Sequence, residues 1–130
     1  MSQPSVICHQ IREDVVRDPH HPVHKIADQL LPYLHILVEQ FHPEQVILFG
    51  SYANGQPTCD SDVDLLIVKP IREGRVKDKV AIRSAWWPLL LGSSPLSFDI
   101  LLTTPEEFHS TRWADIGYHS EIQRHGLRVA

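Results

Sequence analysis

The sequence predicts a small α/β (α+β) domain in which a mixed β-sheet is packed on one side by helices. Three features lead to that expectation. A helical period runs from Val23 to Phe41, short apolar runs stand at 44–50, 61–69 and 96–104, and a stretch of helical spacing separates the second run from the third. Read along the chain, the order is helix, strand, strand, helix, strand, helix, helix.

With 130 residues there is room for one domain with a modest core. Residues 1–22 carry no sustained period and end in Arg-Asp-Pro-His-His-Pro, so they read as an irregular leader, with 23–130 as the domain proper. His20, His21 and His24 read as a solvated turn, because no Cys or acidic ligand accompanies them at fixed metal-site spacing.

Val23, Ile26, Leu30, Leu34, Leu37 and Phe41 recur at steps of three and four and form one apolar helical stripe. Pro32 lacks an amide hydrogen and crowds the carbonyl one turn earlier, so a kink or two short helices are expected there. Glu-Gln-Val-Ile-Leu-Phe-Gly, 44–50, suits a buried strand running into a tight turn. The gap that follows has room for one helical turn. Ser61–Lys69 is the second strand, stopped by Pro70.

Between Glu73 and Trp87, the residues Val76, Val80, Ile82, Ser84 and Trp87 allow an amphipathic helix that Pro88 ends or bends. Trp86 and Trp87 read as core and surface-cover residues. Leu96–Thr104 is the third strand. Thr104, Pro105 and Glu107 then form a helix start with a capping box. A last helix is expected around Ile116 to His125, closing on Gly126 as a left-handed C-cap.

The chemistry concentrates in Gly50–Val68, where three aspartates at alternate positions precede an apolar run. Strand alternation points Asp62 and Asp64 the same way, roughly 6–7 Å apart, with Leu66 and Val68 following on that face. Asp99 stands in the third strand with Leu101 behind it, while Phe98, Ile100 and Leu102 take the other face. If the two strands are neighbours, Asp62, Asp64 and Asp99 converge and repel, and a pair of Mg²⁺ ions would neutralise them. Gly50 and Ser51 lie where a strand ends and a helical turn begins, an arrangement suited to a phosphate. Asp60 falls in the turn, where capping or solvent is its expected fate. A calcium loop is excluded, since it requires Gly where Leu65 stands and Glu where Ile71 stands.

Glycine-serine, ten intervening residues, Asp-x-Asp, an apolar strand, a helix and a later strand aspartate together resemble the DNA polymerase β nucleotidyltransferase superfamily. Within it the chain is similar to the minimal nucleotidyltransferases of the HEPN/MNT antitoxin type. The resemblance implies the polymerase β-type nucleotidyltransferase fold, with Gly50 and Ser51 holding the triphosphate of ATP. It further implies that Asp62, Asp64 and Asp99 coordinate two Mg²⁺ ions and that Asp99 helps activate the attacking hydroxyl. The implied reaction leaves AMP on an acceptor, which in antitoxin relatives is a HEPN-domain partner. Family members commonly carry Arg where Asn54 stands, and Asn supplies neither its charge nor its fork.

The net charge of −4 argues against stable nucleic-acid binding, for which a surplus of Lys and Arg is needed. Arg72, Arg75, Lys77, Lys79 and Arg83 form a basic stretch that reads as a solvated helix face. No apolar run is long enough to span a membrane, and the two cysteines, Cys8 and Cys59, form no disulfide framework, so a reducing cytoplasm is expected. Trp113 and Tyr118 are assigned to core packing ahead of adenine recognition. Two other functions remain beside protein adenylylation: a non-catalytic module that neutralises its partner by covering it, and a small-molecule nucleotidyltransferase whose acceptor pocket a homo-oligomer would build.

Overall fold

The computed structural model describes residues 11–92, 95–110, 113 and 119–130. Four strands, β1 (Gln45–Phe49), β2 (Val63–Val68), β3 (Phe98–Thr103) and β4 (Leu127–Arg128), form one sheet in the order β3-β2-β1-β4. The β1–β2 and β1–β4 pairs are antiparallel and β2–β3 is parallel, so the sheet is mixed. Strand β4 was not expected, because a two-residue strand has no periodic signature.

The principal apolar layer lies on one face. There Val63, Leu65 and Ile67 of β2 meet Val46 and Leu48 of β1, Phe98, Ile100 and Leu102 of β3, and the helix α2 (Ala27–Phe41). Helix α2 is preceded by a 3-10 turn, Pro22–Ile26, and presents Leu30, Leu34 and Leu37 to the sheet, all fully buried. It runs unbroken through Pro32, so the expected division falls instead at Ile26, where the 3-10 turn becomes α-helix. The buried leucine stripe outweighs one missing backbone bond. Within the stretch expected to be irregular, α1 (Glu13–Val16) forms one helical turn with Val16 fully buried. The Arg12 amide there donates to Val129 O at 2.7 Å.

The opposite face is not bare. Ile47, Leu66 and Val68 form a smaller cluster with Trp113 and with Ile122 of α7 (His119–His125), flanked by Phe49, Leu101 and Phe108 of α6 (Pro105–Phe108). Helical cover on one side only is therefore too simple. The capping box of α6 is formed as expected: Glu107 N donates to Thr104 Oγ1 and Thr104 N to Glu107 Oε1, both at 3.1 Å. Of the expected last helix, 116–118 and with them Tyr118 lie outside the described residues.

Gly126 is not in a left-handed conformation. Its requirement is steric, since a Cβ there would come within 2.5 Å of Ile122 O and 2.6 Å of Ile47 Cγ2. The helix after β2 also differs from expectation. In α4 (Arg75–Ala85) the buried positions are Asp78 and Ile82, continued by Trp86, whereas Val76, Val80 and Trp87 are exposed. A buried carboxylate hid that stripe. Pro88 falls in the next short helix, α5 (Trp87–Leu90), consistent with a break at Trp86.

Two polar and aromatic devices anchor this crossover. Lys69 and Asp78, both buried, pair at 3.1 Å, and the Asp78 carboxylate also accepts from the amides of Arg72 (2.9 Å) and Glu73 (3.2 Å). Those bonds, the Arg72 amide first, hold its carboxyl below the usual range. Trp86 packs against Tyr33 and Phe98, with centroids 5.3 and 4.5 Å apart, and its indole donates to Tyr33 O at 3.0 Å. The entry of β3 is thus locked to α2.

Asp78→Ala is expected to destabilise the protein by about 3–5 kcal/mol, because it leaves a buried ammonium and two amides without their acceptor. Replacing both partners, Lys69→Met with Asp78→Leu, should restore a large part of that loss in a urea unfolding curve.

Candidate active site

Strand β1 hands the chain to Gly50, whose φ of 75° and ψ of −156° are open to glycine alone. Space makes the same demand: a Cβ on Gly50 would overlap Asp64 Oδ2 and stand 3.1 Å from its Cγ. The turn therefore sets backbone against carboxyl. Ser51 opens α3 (Ser51–Asn54), a single helical turn closed by bonds from the Ala53 and Asn54 amides to Gly50 O at 3.0 and 3.3 Å. Tyr52 and Ala53 are buried and fasten this turn to the core, which leaves Ser51 half-buried beside the strand ends.

The parallel register of β2 on β3 pairs Asp64 with Asp99, each the second residue of its strand. Asp62 immediately precedes β2 in the same alternation. Asp62 and Asp99 are exposed and Asp64 is half-buried, and all three lie toward the face opposite α2. Asp60 is exposed in the turn, with its amide bonded to Thr58 Oγ1 at 3.3 Å.

Among the described residues, none of the carboxylates of Asp62, Asp64 and Asp99 forms an ion pair or accepts a hydrogen bond. Burial first, then the negative charges of Asp99 and Asp62, push the Asp64 carboxyl up to about 6. Three hard oxygen donors with no cation among them are the donor set of Mg²⁺, which would be held by Asp62, Asp64 and Asp99. Among the described residues no group of three His, Cys, Asp or Glu side chains is placed to hold a metal ion, so the aspartates share an alternation and a register without forming a closed set of ligands.

The basic stretch and the turn residues take other places. Arg75 forms an ion pair with Glu107, and Arg83 donates to Phe98 O at 3.0 Å, so both clamp α4 to the β3 side of the fold. Asn54 borders a cavity of about 150 Å³ beside Gly50, across from Glu121 and His125. A larger cavity that the sequence did not announce, about 350 Å³, opens on the aspartate face, with Leu66 and Leu101 in its wall. Trp113, assigned to packing, is buried and also lines it. A cavity wall gathered from several elements leaves no mark on any one of them.

A family model described as Nucleotidyltransferase domain matches residues 33–122. No curated protein matches the chain. No helix among the described residues is long and apolar enough to cross a membrane.

Two outcomes check this geometry. Gly50→Ala should cost roughly 1–3 kcal/mol in a urea unfolding curve from backbone strain, before any loss from displacing Asp64. For Asp64, the folded protein keeps the proton up to about pH 6, while the unfolded chain releases it near its ordinary 3.8. That contribution to stability is present below the unfolded value and is lost as pH rises through the folded one. In metal-free protein, the rise in melting temperature from Asp64→Asn should therefore grow between about pH 4 and pH 6 and level off above. A difference that stays flat would mean that neither burial nor the charges of Asp99 and Asp62 raise the Asp64 carboxyl in the folded protein.

Proposed function

The chain belongs to the nucleotidyltransferase domain family, and from that premise we propose that it transfers AMP from ATP, with Mg²⁺, to a hydroxyl of a partner protein. The observation that supports this reading most directly is the in-register pair Asp64–Asp99, with Asp62 beside it and, among the described residues, no protein cation to neutralise them. By the resemblance of the motifs to minimal nucleotidyltransferases, the partner proposed is a HEPN-domain protein.

The residues divide the work by position. Gly50 and Ser51 offer a close backbone approach, helix-start amides and a hydroxyl to the β- and γ-phosphates. Asp62, Asp64 and Asp99 would hold the metal ions, which would supply positive charge to the attacking and leaving oxygens. Asp99, on the flank away from Gly50, takes the proton of the acceptor hydroxyl as its oxygen bonds to the α-phosphorus. The bond from that phosphorus to the bridging oxygen breaks, and pyrophosphate leaves on the Gly50 side. Asn54, uncharged in the turn that flanks the phosphates, lends no cation to this charge transfer.

Incubation with α-labelled ATP and Mg²⁺ is expected to move label onto the partner, and Asp62→Asn or Asp64→Asn should each abolish transfer. Partner neutralisation that survives both substitutions, with no label moved, would replace the enzyme by a binding module that acts by complex formation.

A further inference from the structure

We propose that the outward face of the crossover between β2 and β3, formed by α4 and α5, is a docking surface for an acidic amphipathic helix of a partner protein. This surface is separate from the aspartates and does not depend on the nucleotidyl-transfer reading.

The crossover carries two apolar stripes. One, Ile82 with Trp86, is fully buried in the main core. The other is bare: Val76, Val80, Trp87 and Leu91 are 76%, 57%, 58% and 67% exposed, and they are the exposed large apolar side chains among the described residues. Steps of four, seven and four place them in one row. Trp86, between the two helices, keeps an α conformation, and the Leu89 and Leu90 amides donate to its carbonyl, so the row continues from α4 into α5. It runs roughly 22 Å, about four helical turns at 1.5 Å per residue. Apolar side chains scattered singly over a surface are ordinary, whereas an aligned row on a helix already buried on its other side marks a contact surface.

The charges beside the row select its occupant. Residues 71–92 hold five Lys and Arg against two acids, on a chain whose net charge is −4. One of those acids, Asp78, is buried and paired with Lys69. Helical spacing puts Lys77 on one flank of the row and Lys79 and Arg83 on the other. Among the described residues Lys77 and Lys79 form no ion pair. An apolar row between cations complements a helix that carries apolar residues at like steps with Asp or Glu on both sides. A second copy of this chain matches poorly, because a two-fold contact would set the same cations against one another. A lipid surface matches poorly as well. Arg83 and Ser84 stand at the edges of the row and keep it narrow, which suits the seam of a partner helix and not the broad apolar face that enters a bilayer.

The test titrates the full chain into a fluorescent peptide of about sixteen residues, or four turns, built of Leu, Ala and Glu with the leucines in one row and Glu on both flanks. Fluorescence anisotropy is expected to rise saturably. A peptide of the same composition with its leucines dispersed around the helix, and one with Lys for every Glu, should each bind at least about tenfold more weakly. Trp87→Ser should weaken binding of the first peptide by about tenfold or more. Val80→Ser gives the same reading should Trp87→Ser lower the melting temperature. Lys77→Glu with Lys79→Glu should weaken binding and remove most of its dependence on salt. No saturable binding up to about 1 mM, equal binding of the dispersed peptide, or binding that neither serine variant weakens overturns the proposal. A dimer in sedimentation that Trp87→Ser dissociates would overturn it in favour of a second copy. Binding to phosphatidylglycerol vesicles that Trp87→Ser abolishes, with none to the peptide, would overturn it in favour of a lipid surface.

Discussion

The register of β2 on β3 is the constraint on which the rest of the molecule depends. It holds Asp64 beside Asp99 although their charges repel. Apolar neighbours enforce it: Val63, Leu65 and Ile67 face the main core, Leu66 and Val68 face the smaller one, and all five are buried. Each such side chain is worth roughly 1.5–3 kcal/mol on burial, and a slip of one residue would turn the aspartates toward α2. The strand tolerates carboxylates at its start because its remainder allows no other register.

Parallel pairing also dictates where the supporting interactions fall. A parallel neighbour requires a crossover, and the crossover through α4 is secured at one end by the Lys69–Asp78 pair and at the other by Trp86 against Tyr33 and Phe98. Asp99 is the residue after Phe98, so the aromatic cluster that fixes the strand entry also sets the height of the third carboxylate. On the far flank, the Gly50 turn brings backbone to within van der Waals reach of Asp64. The glycine turn and the β3 aspartate thus meet at one central residue, Asp64.

The strands β1 to β3, the α6 capping box and the like alternation of Asp62, Asp64 and Asp99 are legible along the chain because each is a short-range pattern of period two or of cap chemistry. Nonlocal packing governs the features that are not. The buried face of α4 is obscured because Asp78, buried by its pairing with Lys69, breaks the hydrophobic stripe with a charge. Pro32 predicts a divided helix, and the core holds that helix together. Gly126 suggests a conformational cap, whereas its neighbour Ile47, distant in sequence, sets the requirement.

By itself the sequence marked the candidate residues and their alternation: a glycine-serine turn, Asp-x-Asp and a third strand aspartate. The family match over residues 33–122 agrees with that frame. Tertiary structure decided that β2 and β3 are neighbours in the register that pairs Asp64 with Asp99, and that the buried Trp113 borders a cavity on their face. Alternation is a property of one strand and can be read along the chain. Adjacency, burial and the field that raises the Asp64 carboxyl are sums over segments far apart in sequence, and they exist only once those segments are packed.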